Sequence, residues 1–168
     1  MTDQPALQVI DIAEFARLKN TLTGEIDATD LSRLHDFIVP GEQRLHYELR
    51  GELTARREAQ ITCIIRGAVS LQCQRCLEAF GHPLAIHSTL VFVADESLLP
   101  AIEDEDESID YVVADASTLG VVEFIEDEII LDLPLVPRHE PQCQGLAKQL
   151  ARDDAQSPFA ALARLKRN

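Results

Sequence analysis

Residues 43 to 50 read QRLHYELR, and their alternation is the clearest structural pattern in the chain. Leu45, Tyr47 and Leu49 are apolar or aromatic, whereas the residues between them are charged or polar. Successive side chains of a β-strand point to opposite faces of the sheet, so a period of two indicates a strand with one buried face. The stretch therefore predicts a half-exposed sheet.

Further strands are predicted after this one, at residues 60 to 72, 83 to 94 and 108 to 113. We expect a break or a bulge near Gly67, within the first of them. The connections are polar and show no strand–helix–strand alternation, which favours antiparallel pairing. The sheet is therefore predicted to be mainly antiparallel.

Two helices are predicted outside these strands. The first is short and begins after Asp11, a residue type that caps helix N-termini. The second begins at Asp115 or Ser117 and continues to about Leu131, just before two prolines. We expect its carboxylates between Glu123 and Glu128 to lie on a solvated face, where nothing shifts a pKa.

The chain is thus predicted to be α+β, with one domain over residues 1 to 156 and an acidic loop near residues 95 to 110. Residues 157 to 168 are predicted to form a C-terminal docking helix with a basic tail. An apolar stripe runs along this helix: Phe159, Leu162 and Leu165. So short a helix is rarely stable alone in water, so the stripe must dock on its own domain or on a partner.

Composition indicates a soluble globular protein. Apolar residues make up 46% of the 168 residues, but no apolar run approaches the roughly 20 residues of a membrane span. The acidic N-terminus lacks the pattern of a signal peptide. We therefore predict a cytoplasmic protein that has no membrane partner and keeps its four cysteines reduced.

The net charge of −14 belongs to one segment of the chain. Residues 95 to 135 contain fourteen of the 29 acidic residues and no Lys or Arg, so the rest of the chain is neutral. The densest acidic run consists of Glu103, Asp104, Glu105, Asp106 and Glu107. Such a segment favours a basic partner, because opposite charges accelerate encounter.

Twelve of the fifteen basic residues are Arg, whose side chain suits bidentate contacts to phosphate. The candidate RNA-binding residues are Arg44, Arg50, Arg56, Arg57, Arg75, Arg164, Lys166 and Arg167. An RNA-binding surface requires these side chains to lie on one face. The alternative, which we favour without that evidence, is a solvated sheet face with ion pairs.

Cys73 and Cys76 form a CxxC motif, a spacing that lets two thiolates bind one tetrahedral zinc ion. The other two ligands would be His139 and Cys143, after the double-proline segment. Such a zinc would be structural, since four protein ligands leave no position for a substrate. The alternatives are a metal-free turn with a buried Cys63 elsewhere or, less favoured, a redox-active pair.

No catalytic constellation is recognisable in the sequence. The patterns HExxH, GxSxG, GxxxxGKS/T and GxGxxG do not occur, and the five histidines are scattered. We therefore expect a binding or assembly factor that is not an enzyme and has no small-molecule substrate.

Three separated stretches have a distinctive character beyond their composition. They are LQCQRCLEAF at residues 71 to 80, IEDEIILDLPLVPRHEPQC at residues 125 to 143, and SPFAALARLKRN at residues 157 to 168. In this order and spacing they resemble the YceD family of large ribosomal RNA subunit accumulation proteins. The family's CxRC motif corresponds to Cys73, Arg75 and Cys76.

The resemblance implies a cytoplasmic, non-enzymatic bacterial protein required for synthesis or accumulation of 23S ribosomal RNA. It leaves two mechanisms open. The arginines and the basic tail bind ribosomal RNA directly, or the acidic segment binds a basic ribosomal or processing protein. A zinc-stabilised regulator or a redox-active CxxC protein is a further alternative. The oligomeric state and the partner's identity are not determined by the sequence.

Overall fold

A computed structural model describes residues 8–100, 108–114 and 117–139. They form the predicted α+β fold, in which a five-stranded sheet carries most of the structure. The strands are β1 (Val9–Asp11), β2 (Thr21–Asp27), β3 (Arg44–Leu53), β4 (Ala59–Gln72), β5 (Ala79–Val93), β6 (Asp110–Val113) and β7 (Thr118–Gly120). The helices are α1 (Ile12–Arg17) and α2 (Val121–Asp132), and 3-10 turns occupy Ala28–Asp30, Ser32–Leu34 and Glu96–Leu98.

The large sheet has the strand order β2-β3-β4-β5-β6. Its first three pairings are antiparallel, which confirms the prediction, whereas β5 and β6 are parallel. A parallel pair needs a crossover connection, and this one contains the acidic run after Asp95. Strands β1 and β7 form a separate antiparallel pair.

The predicted alternation in β3 is confirmed, because Leu45, Tyr47 and Leu49 are all buried. The edge strand β2 is missing from the prediction. Its sequence, TLTGEID, has a weak pattern because Ile26 is its one buried residue. Gly24 weakens the pattern further, since a Cβ there would lie 2.5 Å from the Tyr47 hydroxyl.

Strands β4 and β5 form a long hairpin, and the bulge predicted near Gly67 is wrong for this pairing. Gly67 pairs with Leu84 in a ladder that continues one-to-one on both sides. What ends at Gly67 is the pairing of β4 with β3, where Leu45 is its partner. A Cβ at Gly67 would lie 2.6 Å from Leu45 Cδ2, which explains the glycine by close packing.

The first two predicted helices are present, but the second begins later than expected. Asp11 caps α1 by accepting a hydrogen bond from the backbone N–H of Glu14 at 2.7 Å. Helix α2 begins at Val121 rather than at Asp115 or Ser117, because residues 118–120 pair with β1 as a strand. The helix ends at Asp132, just before Pro134.

The hydrophobic core lies on one face of the large sheet, beneath the helices and the 3-10 turns. The central buried residues of β3, β4 and β5 pack against α1, α2 and the segment of residues 28–38. The opposite face of β3 carries exposed charged side chains. The sheet therefore has one covered face and one open face over β3, as the alternating pattern predicts.

Several predictions fall outside the described residues. They concern the acidic run of residues 103–107, the ligand Cys143 and the C-terminal helix over residues 157–168. The domain boundary at residue 156 also remains a prediction. Among the helices of the described ranges, none is long and apolar enough to span a membrane.

Candidate metal centre and charged surfaces

The CxxC motif forms the turn of the β4–β5 hairpin. The backbone N–H of Cys73 donates to the Glu78 carbonyl at 2.9 Å, and the N–H of Leu77 donates to the Cys73 carbonyl at 2.9 Å. Leu77 has a positive φ of 62°, which lets the chain reverse within these few residues. The backbone N–H of Arg75 also points to Cys73 Sγ, at 3.4 Å. Both cysteines are thus held at the tip of a rigid hairpin.

The segment after α2 crosses this turn. The backbone N–H of Gln74 donates to the Pro137 carbonyl at 2.9 Å. His139 then lies beside Cys76, with its two ring nitrogens 3.8 and 3.9 Å from Cys76 Sγ. Phe80 packs against the imidazole at a ring-centroid distance of 5.5 Å, which limits where the ring can lie.

Cys73, Cys76 and His139 form a cluster whose ligand atoms all lie within 4.8 Å of one another. A tetrahedral zinc, with ligand bonds of about 2.0 to 2.3 Å, separates its ligand atoms by about 3.5 to 3.8 Å. The cluster is close to this geometry, and two sulfurs with one nitrogen suit zinc. The structure therefore brings together three of the four predicted ligands.

Cys63 takes no part in this cluster. It lies ten residues earlier in β4, about 33 Å along the strand. Its side chain is fully buried, and burial raises the pKa of its thiol to about 12. The hypothesis of a small buried side chain at this position is supported by both observations.

Among the described residues, the candidate RNA-binding arginines of the two hairpin turns lie far apart. Arg56 and Arg57 lie in the β3–β4 turn, whereas Arg75 lies in the β4–β5 turn, at the other end of β4. Fourteen residues of strand separate the two turns, which is about 45 Å. Arg164, Lys166 and Arg167 lie outside the described residues.

Arg44 and Arg50 lie on the open face of β3 and form ion pairs there. Arg44 pairs with Glu42 and Arg50 with Glu48, each at 2.7 Å. The hydrogen bond and charge of Arg50 hold the pKa of Glu48 below its usual range. The face therefore carries both charge signs, as expected for a solvated, ion-paired sheet.

The carboxylates of α2 are not all solvated, so that prediction is wrong for two of them. Glu126 is 3% exposed and Glu128 8%. Glu126 accepts a hydrogen bond from the backbone N–H of Arg33 at 3.0 Å. Glu128 accepts one from the Ser88 hydroxyl, and burial raises the pKa of its carboxyl.

Helical spacing in the sequence could have predicted the burial of Glu128. It lies three residues after Ile125 and seven after Val121, so helical spacing places it on the buried stripe of α2. Ser88 faces it from β5, directly opposite Cys63 of β4. These contacts fix α2 to the sheet.

The similarity to known proteins covers most of the chain. The family model described as Large ribosomal RNA subunit accumulation protein YceD matches residues 61–166. A protein of that name from Haemophilus influenzae is 27% identical over 171 residues, and the match covers 94% of both chains. No solved structure matches the chain significantly. Since the family model spans more than half of the sequence, the chain belongs to the YceD family of large ribosomal RNA subunit accumulation proteins.

Proposed function

We propose that this protein is a cytoplasmic ribosome-biogenesis factor that supports 23S ribosomal RNA accumulation by binding rather than by catalysis. Membership of a family named for large ribosomal RNA subunit accumulation is the observation that carries the proposal. The full-length similarity to the Haemophilus influenzae protein supports it.

The buried titratable groups support binding over catalysis. Cys63, Glu126 and Glu128 all lie in the core. Glu126 and Glu128 are engaged by Arg33 and Ser88, so both have structural partners. A buried carboxyl with a raised pKa is a common mark of an active site, but here the same burial is explained by the packing of α2 on the sheet.

The charge distribution favours a basic protein of ribosome assembly as the direct partner. In α2, Asp127 pairs with Arg33, but Glu123 and Asp132 are exposed, and residues 95 to 135 themselves contain no Lys or Arg. The arginines of β3, by contrast, already have carboxylate partners. Carboxylates that lack local basic neighbours attract a cationic partner more strongly than paired arginines attract phosphate.

Crosslinking in cells, with recovery of both RNA and protein, tests this mechanism. We expect basic assembly proteins to crosslink through residues 95 to 135. Replacement of Glu103 to Glu107 by Ser and Asn should weaken this recovery. The matched control replaces exposed acids of the open sheet face, Glu25 and Glu52, by Gln. Crosslinks to 23S ribosomal RNA through Arg56, Arg57 or the basic tail, without protein crosslinks, would overturn it in favour of direct RNA binding.

The cluster of Cys73, Cys76 and His139 is proposed to bind a structural zinc, with Cys143 as the fourth ligand. The metal would join the segment after α2 to the hairpin turn, which Gln74 and Pro137 already bring together. Its role is to stabilise the fold, since a four-ligand zinc has no open position. Metal analysis should find one zinc per chain, and a chelator should remove it with loss of stability. A metal-free, fully stable protein would contradict the zinc proposal but leave the biogenesis role intact.

A further inference from the structure

An apolar groove lies beside the hairpin turn, between the segment of residues 36–40 and the residues that follow α2. It has a volume of about 530 Å³. Its apolar lining includes Phe37, Ile38, Leu71, Ile130, Leu133 and Leu135. The sequence analysis does not predict this groove, because its walls come from three separate parts of the chain.

The lining side chains are unusually exposed for their type. Leu135 is fully exposed and Phe37 is 52% exposed. Ile38 and Leu71 form the floor, where an isolated β-bridge joins them, and both are buried. A firm apolar floor beneath exposed apolar rims is typical of a docking site for an amphipathic segment.

We propose that this groove is the docking site of the chain's own C-terminal stripe, formed by Phe159, Leu162 and Leu165. Helical spacing places these three side chains on one side over about 9 Å of helix. The inference is independent of the proposed ribosomal partner and of zinc.

The length of the chain allows this docking. The described residues end at His139, and Pro137 itself lines the groove. Nineteen residues lie between His139 and Phe159, and this connection can span about 65 Å when extended. The stripe is therefore tethered next to the groove, and a tether raises its effective concentration far above that of a separate partner.

Charge complementarity also favours this occupant. Asp36 lies on the groove wall, and Asp132 occupies the last turn of α2, which contains no basic residue. The C-terminal end of a helix carries partial negative charge, which Asp132 increases. The predicted docking helix ends in Arg164, Lys166 and Arg167, whose charges are opposite to those of Asp36 and Asp132.

Tryptophan fluorescence tests the proposal, because the chain contains no Trp. In the full-length Phe159→Trp protein we expect blue-shifted emission and several-fold weaker acrylamide quenching than for an exposed indole. Adding Phe37→Ser and Leu135→Ser should restore strong quenching. The matched control is Leu131→Ser, which removes an 81% exposed leucine of α2 that does not line the groove.

Three results would overturn the inference. The first is a solvent-exposed indole in Phe159→Trp, and the second is acrylamide quenching that does not change with the two groove substitutions. The third is protection of the indole from quenching that weakens on dilution, which would identify a second copy as the occupant. Because Trp at position 159 can itself disturb docking, methyl resonances provide a second measurement. Leu162→Ser should shift the methyl groups of Ile38 and Leu135, whereas Ala161→Ser, off the stripe, should leave them unchanged.

Discussion

The two halves of the β4–β5 hairpin are held in different ways. Before Gly67, β4 pairs with strands on both sides, β3 and β5. After Gly67, the β3 side is replaced by irregular chain: the N–H of Val39 donates to the Ser70 carbonyl at 2.7 Å, and Ile38 bridges Leu71. One hairpin is thus supported by strands on both sides at one end and by irregular chain at the other. We call these the strand-supported half and the loop-supported half.

The loop-supported half carries the proposed zinc site and the proposed docking groove. The CxxC turn, the cluster with His139 and the apolar groove all belong to it. Loops positioned by a rigid scaffold commonly carry binding sites, because they tolerate variation that strands do not. We therefore expect substitutions of the proposed zinc ligands or of the C-terminal stripe to destabilise this half and to leave the strand-supported half intact.

The largest effect is expected from Cys73→Ser. Loss of Cys73, a fully buried residue and a proposed zinc ligand, should abolish zinc binding and lower the free energy of unfolding by more than about 3 kcal/mol, since metal binding energy is folding energy. Hydrogen exchange should accelerate first at residues 68 to 80 rather than at residues 61 to 66. Chemical denaturation and mass-resolved exchange measure both quantities.

Cys63→Ser is the matched control for that prediction. It also places a hydroxyl in the core, but about 33 Å along β4 from the turn. We expect it to destabilise the fold while one zinc per chain is retained. Equal loss of metal from both variants would show that global unfolding, rather than ligand removal, causes the effect.

A second prediction tests the boundary between the halves. Gly67→Ala should destabilise the protein by about 1 to 3 kcal/mol, because the new Cβ would lie 2.6 Å from Leu45 Cδ2 and 2.9 Å from the Arg44 carbonyl oxygen, and the φ of 157° disfavours an L side chain. Gly81→Ala is the control on β5, where an added Cβ meets nothing within 4 Å. Thermal unfolding that ranks the two variants equally would remove close packing as the reason for Gly67.

A third prediction concerns the polar support of the loop-supported half. Buried Gln43 donates to the Val39 and Gly41 carbonyls and accepts from the N–H of Ser70. Gln43→Ala should cost about 1 to 3 kcal/mol, because it removes three hydrogen bonds to part-buried backbone groups. Exposed Gln72, which donates to the Leu77 carbonyl at 3.1 Å, provides the control. A similar cost for Gln72→Ala in urea denaturation would contradict this account.

The sequence predicts the strand-supported half better than the loop-supported half. Leu45, Tyr47 and Leu49 alternate because each faces a continuous core, so local pattern and burial coincide. The groove is not predictable from the sequence, because Ile38, Leu71 and Leu133 come from distant segments that only tertiary contacts bring together. The sequence predicts the metal cluster in part. The spacing of Cys73 and Cys76 indicates a local ligand pair, whereas His139 is predicted only because few other ligand residues are available.

The positions of several charged groups are also hard to predict from the sequence. Arg57 and Arg75, two of the candidate RNA-binding residues, occupy turns at opposite ends of β4, a separation that their closeness in sequence does not reveal. The sequence predicts a solvated Glu126, but its side chain is buried. Its partner is the backbone N–H of Arg33, and no pattern of side chains in a sequence reveals such a bond.

The smallest effect is expected at Glu128, which faces the strand-supported half through Ser88. Burial raises the pKa of Glu128 in the folded state above its usual value, so the native state keeps a proton that the unfolded state loses. Stability should therefore decline as pH rises from about 4.5 through the folded pKa. Glu128→Gln keeps a partner for Ser88 and removes this penalty, so the variant should be more stable than the parent at neutral pH and similar to it at pH 4. Glu52→Gln, at an exposed site on the open face of β3, is the control, and urea denaturation at several pH values compares the two variants. A Glu128→Gln protein that is less stable than the parent at neutral pH would mean that the ionised carboxylate holds α2 to β5, and that even this half depends on a charge.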